Sequence, residues 1–563
     1  MKKINNKIII FCFILSGIGL WAFVENNFKI AKNLDIYFTL FKELNYYYVD
    51  EINPEKLIKT SIDGMLESLD PYTSYIPESE LDNFNFQITG QYGGIGALIR
   101  KNDNAAVISE PYENFPADKA GIKAGDILVK VEGKNVNNKN ISEISDMLKG
   151  TPGTEVELEI RRPGVNKTLK RKITREKITI PNVPFFGIIC DSIGYIRLTG
   201  FTTDAGKDVK EAFISLKKMK MKYFILDIRN NPGGLLNEAV YLSSIFIPKN
   251  QLVVSTKGKV KATCKDYYTE NDPVDTTIPI AILVNSGSAS ASEIVAGCLQ
   301  DLDRAVIIGQ RTFGKGLVQE KWPLSYNTQL KLTVAKYYIP SGRCIQALDY
   351  SRRNEDGSVG YIPDSLISEF RTKNGRKIYN GGGIKPDIKV QDENLSNLSL
   401  NLYAKNFIFN FATTFVQDHK FIAKPQYFRI TDTIYSEFVE FLKNKDFDYT
   451  TRTEDNFNKL ISSAKHEKYY SNAENEFEQL KVKLSHDKFK DLISFKTEIS
   501  ELLKEEIVTR FYYERGRIEA SLIDDNEVKK AIQLFKQEKE YNSILNGTIG
   551  DLAIDSKSNE KLK

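Results

Sequence analysis

The stretch Ile278-Pro-Ile-Ala-Ile-Leu-Val-Asn-Ser-Gly-Ser-Ala-Ser-Ala-Ser-Glu-Ile-Val-Ala296 opens with an apolar run, crosses small residues and enters a helix-like segment. An unbroken apolar run of this length, bounded by turn residues, reads as a strand buried on both faces. Similar runs occur at Tyr223-Phe-Ile-Leu-Asp227 and Ala305-Val-Ile-Ile308, separated by helix-like sequence. That alternation predicts a layered α/β core over residues 179–390.

Outward from this core the texture changes twice. Residues 89–178 carry short strand-like runs punctuated by Gly, Asn and Asp, such as Ala105-Ala-Val-Ile-Ser109, Ile127-Leu-Val-Lys-Val131 and Val156-Glu-Leu-Glu-Ile160, and read as a separate β-rich module. Residues 391–563 are rich in lysine and glutamate with helical periodicity, as in Phe477-Glu-Gln-Leu-Lys-Val-Lys-Leu484, and read as a helical extension with nothing catalytic in it. Residues 28–88 are expected to be amphipathic helix, with Ile36, Leu40, Phe41 and Leu44 at helical spacing, ending in the turn-rich Leu69-Asp-Pro-Tyr-Thr-Ser-Tyr-Ile-Pro77. Residues 1–27 join a lysine-bearing start to an uncharged run from Ile8 to Val24, the pattern of an export signal or a single anchor. Bulky residues at Leu20-Trp-Ala-Phe-Val24, where a signal peptidase needs small ones, favour an uncleaved anchor in the inner membrane, with the rest of the chain outside the cytoplasm, in the periplasm or cell envelope.

At 563 residues, 41% hydrophobic and 27% charged, the chain exceeds any single core, and neither wholesale disorder nor a multi-span membrane protein fits. Lysine plus arginine at 78 against aspartate plus glutamate at 74 gives a net charge of +4, too small for a dedicated nucleic-acid binder. The five cysteines are dispersed without a C-x-x-C pair, so a zinc ribbon or disulfide framework is not expected. His419, His466 and His486 all lie late in the chain. Chemistry in the first 400 residues therefore proceeds without histidine, unless the tail reaches back.

Three segments carry that chemistry. In Leu226-Asp-Ile-Arg-Asn-Asn-Pro-Gly-Gly-Leu235, paired glycines at a strand-to-helix junction let backbone N–H groups face an anion. In the opening stretch, a serine at a helix N-terminus lies beside unpaired N–H donors, yet Ser290-x-x-Glu293 is also a good capping box. The sequence alone does not choose among Ser288, Ser290 and Ser292. In Gly309-Gln-Arg-Thr-Phe-Gly-Lys-Gly-Leu-Val-Gln-Glu320, Lys315 sits between glycines, and the even spacing to Gln319 puts both on one strand face. A lysine can replace histidine as a base once burial lowers its pKa, which calls for a dry site.

Together and in this order, with Leu69-Asp-Pro, Thr312-Phe-Gly-Lys-Gly316 and Gly382-Gly-Ile-Lys-Pro-Asp387, these segments resemble the carboxyl-terminal processing (tail-specific) proteases over roughly residues 35–390. That family consists of serine peptidases with a Ser-Lys dyad and an attached PDZ domain. The resemblance implies a crotonase-like or ClpP-like layered core, with Ser290 as nucleophile, Lys315 as base and Gln319 orienting the lysine. It places oxyanion donors at Ala291 and in the pair Gly233, Gly234, and requires no metal or cofactor. Asp301 matches a position discussed as functional in some members, though its setting in Gln300-Asp-Leu-Asp-Arg304 favours an ion pair or cap. The PDZ module is implied for residues 89–178, where Pro116-Ala-Asp-Lys-Ala-Gly-Ile-Lys-Ala-Gly-Asp126 fits the family pattern. Its carboxylate-binding loop is Gly94, Ile95, Gly96 and Ala97, able to hold a substrate's C-terminal tail. The expected partners are protein substrates with accessible tails, with an adaptor or a second copy at the helical extension. The rivals are a non-catalytic PDZ scaffold on a protease-like core, which predicts a missing dyad residue, and an acyl-CoA-processing enzyme, which the PDZ and Lys315 segments disfavour.

Overall fold

A computed structural model describes the backbone of residues 6–391, 395–443, 445–484 and 487–548, with side chains from residue 27 onward, residue 364 excepted. The chain divides into two compact units, Met1–Pro77 with Lys321–Leu332, and Glu78–Glu320 with Thr333–Lys563.

In the first unit, helix Asn6–Tyr47 is followed by helix Pro54–Glu67, whose start Asn53 caps by accepting the Lys56 N–H at 3.0 Å. Ile36, Leu40 and Leu44 form an exposed apolar stripe on the first helix. Ile8 to Val24, read above as an anchor, is helical, but its side chains lie outside the described ones. Among the described residues no helix is long and apolar enough to cross a membrane. The Leu69-Asp-Pro turn closes when Asp70 Oδ1 accepts the N–H groups of Tyr72 and Thr73, both at 2.8 Å. Strand Ser74–Ile76 then pairs antiparallel with Gln329–Lys331.

The second unit begins with a β-rich module. Its sheet runs in the order Ala97–Asn102, Ala105–Pro111, Ile127–Val131, Glu155–Arg161, Thr168–Thr174, so Ala97–Asn102 is an edge strand. Val156, Leu158 and Ile160 alternate with Glu155, Glu157 and Glu159, and the apolar set joins Ile108, Leu128 and Ile144 in the module's core.

The central sheet follows in the order Phe185–Ile189, Ile193–Arg197, Tyr223–Asp227, Ile280–Val284, Val306–Gly309, Ile388–Lys389. The first pair is antiparallel and the others parallel. Alternate residues explain why its strands are apolar throughout. Phe224, Leu226, Ile282 and Val284 pack under helices Ala205–Lys218, Leu236–Ser244 and Ala291–Asp301. Ile225, Ala281, Leu283 and Ile308 face the other way and meet Val528, Leu534, Phe535 and Tyr541. These last four belong to helices Asn526–Lys536 and Glu538–Leu545. The end of the helical extension thus supplies one of the two layers covering the sheet, while Leu398, Phe411, Phe438, Leu503 and Ile507 build a core of their own.

Candidate active site

The loops that follow Tyr223–Asp227, Ile280–Val284 and Val306–Gly309 all leave the carboxyl ends of neighbouring parallel strands, where open α/β sheets bind ligands. They carry the Pro-Gly-Gly, serine and lysine segments respectively.

The three serines are held differently. Ser288 is buried, and its hydroxyl donates to the Ile228 carbonyl at 2.8 Å. Ser292 is buried, and its hydroxyl donates to the Asn231 carbonyl at 2.9 Å. Ser290 is half-buried and adopts φ 56°, ψ −113°, a backbone conformation costly for a residue with a Cβ, immediately before helix Ala291–Asp301.

Glu293 organises the surroundings of Ser290. It is fully buried and accepts four hydrogen bonds: from Ser290 N–H at 2.9 Å, Thr312 Oγ1 at 2.5 Å, Gly314 N–H at 2.7 Å and Lys315 N–H at 2.9 Å. The Ser290 and Lys315 bonds end on the same oxygen, Oε2, so the two backbones are no farther apart than those bonds together reach. Burial pushes the Glu293 pKa up to about 7 against the pull of the four bonds. Its carboxylate does half of what the capping box spells, and the other bonds join the serine loop to the lysine loop. The local S-x-x-E spacing signalled the first role, and no local pattern signals the second.

Lys315 is half-buried, and the next residue is fixed by Gly316 N–H donating to Gln346 Oε1 at 2.7 Å. Gln319, in strand Leu317–Pro323, donates from Nε2 to Thr333 Oγ1 at 3.2 Å.

The Pro-Gly-Gly loop lies against the serine. Gly233 has φ 97°, and a Cβ there would stand 2.8 Å from both the Ala291 nitrogen and Ser290 Cβ. Its own N–H donates to Asn231 Oδ1 at 2.9 Å. Among the described residues, neither the Gly234 nor the Ala291 N–H donates to a protein acceptor, and Gly234 is exposed. Asn231 is a further residue that sequence reading passed over: its carbonyl accepts the Ala289 N–H at 3.0 Å as well as the Ser292 hydroxyl.

Asp301 stands apart from these loops in a buried pair with Arg343, at 2.9 Å, and also accepts the Ser341 N–H at 3.0 Å. In the β-rich module, Gly94 ends strand Gln91–Gly94, Gly96 turns at φ 72°, and Ala97 opens the edge strand. The Ile95 and Gly96 N–H groups have no protein acceptor among the described residues.

Residues 192–351 match the model for peptidase family S41, 107–162 a PDZ domain, and 398–535 a model described as "Probable PDZ-protease, C-terminal helical domain". The carboxy-terminal-processing protease of Bartonella bacilliformis is 38% identical over 349 residues, covering 61% of this chain and 77% of that protein. The chain belongs to the C-terminal-processing serine proteases of family S41. Another member, the "Probable CtpA-like serine protease" of Staphylococcus aureus MRSA252, is 33% identical over 72% of this chain and 80% of its own length. Among solved structures, the photosystem II D1 C-terminal processing protease is 27% identical over 63% of this chain and 92% of its own, with a TM-score of 0.34. The three matched segments fall in the α/β core, the β-rich module and the helical region respectively.

Proposed function

We propose that the protein is an endopeptidase of the cell envelope that captures the C-terminal tails of protein substrates and cleaves them through Ser290 and Lys315. The observation that carries this reading is the contrast among the serines: the hydroxyls of Ser288 and Ser292 are committed to buried carbonyls, whereas Ser290 stands half-buried at a strained turn beside the glycine pair. In the proposed reaction, neutral Lys315 takes the proton of Ser290 as Oγ attacks the scissile carbonyl. The oxyanion is held by the Ala291 and Gly234 N–H groups, the pair left without protein acceptors, with buried Gly233 shaping the wall. Lys315 then passes its proton to the departing amine, and water hydrolyses the acyl ester by the same route in reverse. Gln319, held through its nitrogen by Thr333, offers Oε1 to orient the lysine amine.

Tail capture is assigned to Gly94–Ala97. A terminal carboxylate meets the Ile95 and Gly96 N–H groups while the tail pairs with edge strand Ala97–Asn102. The lysines before Ile8 and the apolar run to Val24 support a location outside the cytoplasmic membrane, with the N-terminal segment as anchor.

The test is incubation of the purified protein with an envelope extract, beside Ser290→Ala, Lys315→Ala and Lys315→Arg, followed by identification of new chain termini. All three variants are expected to fold and to produce none. The arginine variant fails because guanidinium stays charged. Substantial cleavage by Lys315→Ala, free of contaminating protease, removes lysine as the base.

A further inference from the structure

Arg229 is the second residue beyond strand Tyr223–Asp227 and lies four positions before Gly233. Its guanidinium is shared between the protease core and the helical domain. On the core side, Nε and Nη2 bind the buried Asp227 at 2.6 to 3.1 Å. On the other, Nη2 binds Asp525 Oδ2 at 2.6 Å and Nη1 binds Glu527 Oε2 at 3.2 Å. Asp227 does not need this arginine for neutrality. Arg197 already pairs with it at 2.7 Å, and the Tyr195 hydroxyl donates to it at 2.7 Å. The second buried cation also faces the two carboxylates of the helical domain.

The far end of this clamp is rigid. Asp525 caps helix Asn526–Lys536, its Oδ1 accepting the Val528 N–H at 2.9 Å while Oδ2 holds Arg229. That helix is seated on the central sheet through Val528, Leu534 and Phe535. The near end leads directly into the catalytic loops. Asn230, at φ 55°, exchanges two hydrogen bonds with the Asn285 side chain, at 2.8 and 2.9 Å. Asn231 carries the bonds to Ala289, Ser292 and Gly233. A shift of Arg229 is therefore delivered to both the glycine pair and the serine loop.

We propose that the C-terminal helical domain is a working part of the catalytic apparatus, in which Asp525 and Glu527, acting through Arg229, hold the Pro-Gly-Gly loop where oxyanion binding requires it. Arg229 is then a positioning residue, and the start of helix Asn526–Lys536 is where the domain sets the turnover of the serine. The inference rests on the roles given above to Ser290 and the glycine pair. A polar cavity of about 510 Å³ opens beside the clamp, lined by Arg197, Arg229, Glu505, Arg517, Asp525 and Glu527. Neutralising the two acids therefore leaves Arg229 paired with Asp227 and reachable by water.

The experiment uses the full chain carrying Asp525→Asn with Glu527→Gln, since asparagine caps a helix as well as aspartate does. Expected are a fall in kcat of about tenfold or more, KM within about twofold of the unmodified protein, and faster hydrogen exchange over residues 229–235. Glu527→Asp should recover most of the rate lost in Glu527→Gln, because it restores the charge. Leu503→Ala, a core truncation in the helical domain that leaves the charges of the clamp in place, should lower stability without changing kcat per folded molecule. A folded double variant with unchanged kcat overturns the proposal, as does a loss of kcat that Leu503→Ala reproduces at equal destabilisation. Should the double variant not fold, Glu527→Gln alone is read by the same criteria. Ser290→Ala run alongside separates the two claims. If the unmodified protein itself does not cleave, the protease reading fails and this inference falls with it. If Ser290→Ala is inactive and the clamp variants cleave normally, the clamp alone is wrong.

Discussion

Replacing Glu293 by glutamine should separate stability from turnover. The carboxylate takes four donors on two oxygens, and glutamine keeps one oxygen while turning an NH2 group toward the donors of the other. Two donors lose an acceptor, and hydrogen bonds to a charged group contribute about 1.5–3 kcal/mol each. Against this stands the cost of the buried anion, whose pKa is raised from 4.5 to about 7 chiefly by desolvation. At about 1.4 kcal/mol per unit, that shift costs the folded protein on the order of 3 kcal/mol once the group is ionised. Because the folded-state pKa is raised, Glu293's contribution to stability is full below about pH 4.5 and is lost as pH climbs through about 7. Glutamine removes that dependence. The two effects oppose each other, and Glu293→Gln should gain stability relative to the unmodified protein between pH 5 and pH 8. Its kcat should fall by about a hundredfold, because either orientation of the amide takes an acceptor from the lysine loop, at Gly314 or at Lys315. Urea unfolding of both proteins at pH 5 and pH 8, with single-turnover cleavage at pH 8, measures both quantities. Glu110, also raised to about 7 by burial, adds a slope of the same sign, so only the difference between the two proteins reports Glu293. A variant with normal turnover, or a stability difference that does not change between the two pH values, refutes the reasoning.

Gly233→Ala places a methyl group 2.6 Å from the Ala289 carbonyl oxygen and 2.8 Å from Ser290 Cβ at φ 97°, so kcat should fall by about 10²- to 10³-fold with a smaller change in KM. Arg343→Met strands the buried Asp301 and should cost about 3–5 kcal/mol in urea unfolding, with much of it recovered by adding Asp301→Asn; a loss below about 1 kcal/mol would mean the pair is not a structural one. Amidating the C-terminus of a substrate peptide should weaken capture about ten- to hundredfold in a competition binding assay, and equal binding of amidated and free peptides would remove Gly94–Ala97 as a carboxylate loop.

Much of this fold was legible because burial on both faces leaves a strong mark in sequence. Ile280-Ala-Ile-Leu-Val284 has no polar position, as required of a strand with helices above and below. The same run does not say which helices lie below. Val528, Ala531, Leu534 and Phe535 mark an apolar helix face, but periodicity names a face and not its partner, so the extension read as an appendage although its end covers the sheet. The site shows the same division. Ser288, Ser290 and Ser292 share one local pattern, and what separates them is contact with Ile228 and Asn231, some sixty positions earlier in the chain. Glu293 looked like a cap because its bond to Ser290 is local, while its bonds to Gly314 and Lys315 close over 21 and 22 residues.

The strain at Ser290 gives the arrangement its logic. A non-glycine residue at φ 56°, ψ −113° costs about 1–3 kcal/mol and persists only where its surroundings over-determine it. Here the Ser290 N–H is held by Glu293 and its carbonyl accepts from the Tyr337 hydroxyl at 3.2 Å. Ala289 before it and Ser292 two positions after it are tied to Asn231, through the Ala289 N–H and the Ser292 hydroxyl. A plain helix cap needs none of this, since capping serines take an extended backbone without strain. With φ positive, the Cβ of Ser290 comes up against Gly233, where any side chain would collide with it. The glycine pair and the strained serine are thus two halves of one requirement, each accounting for the residue type found at the other.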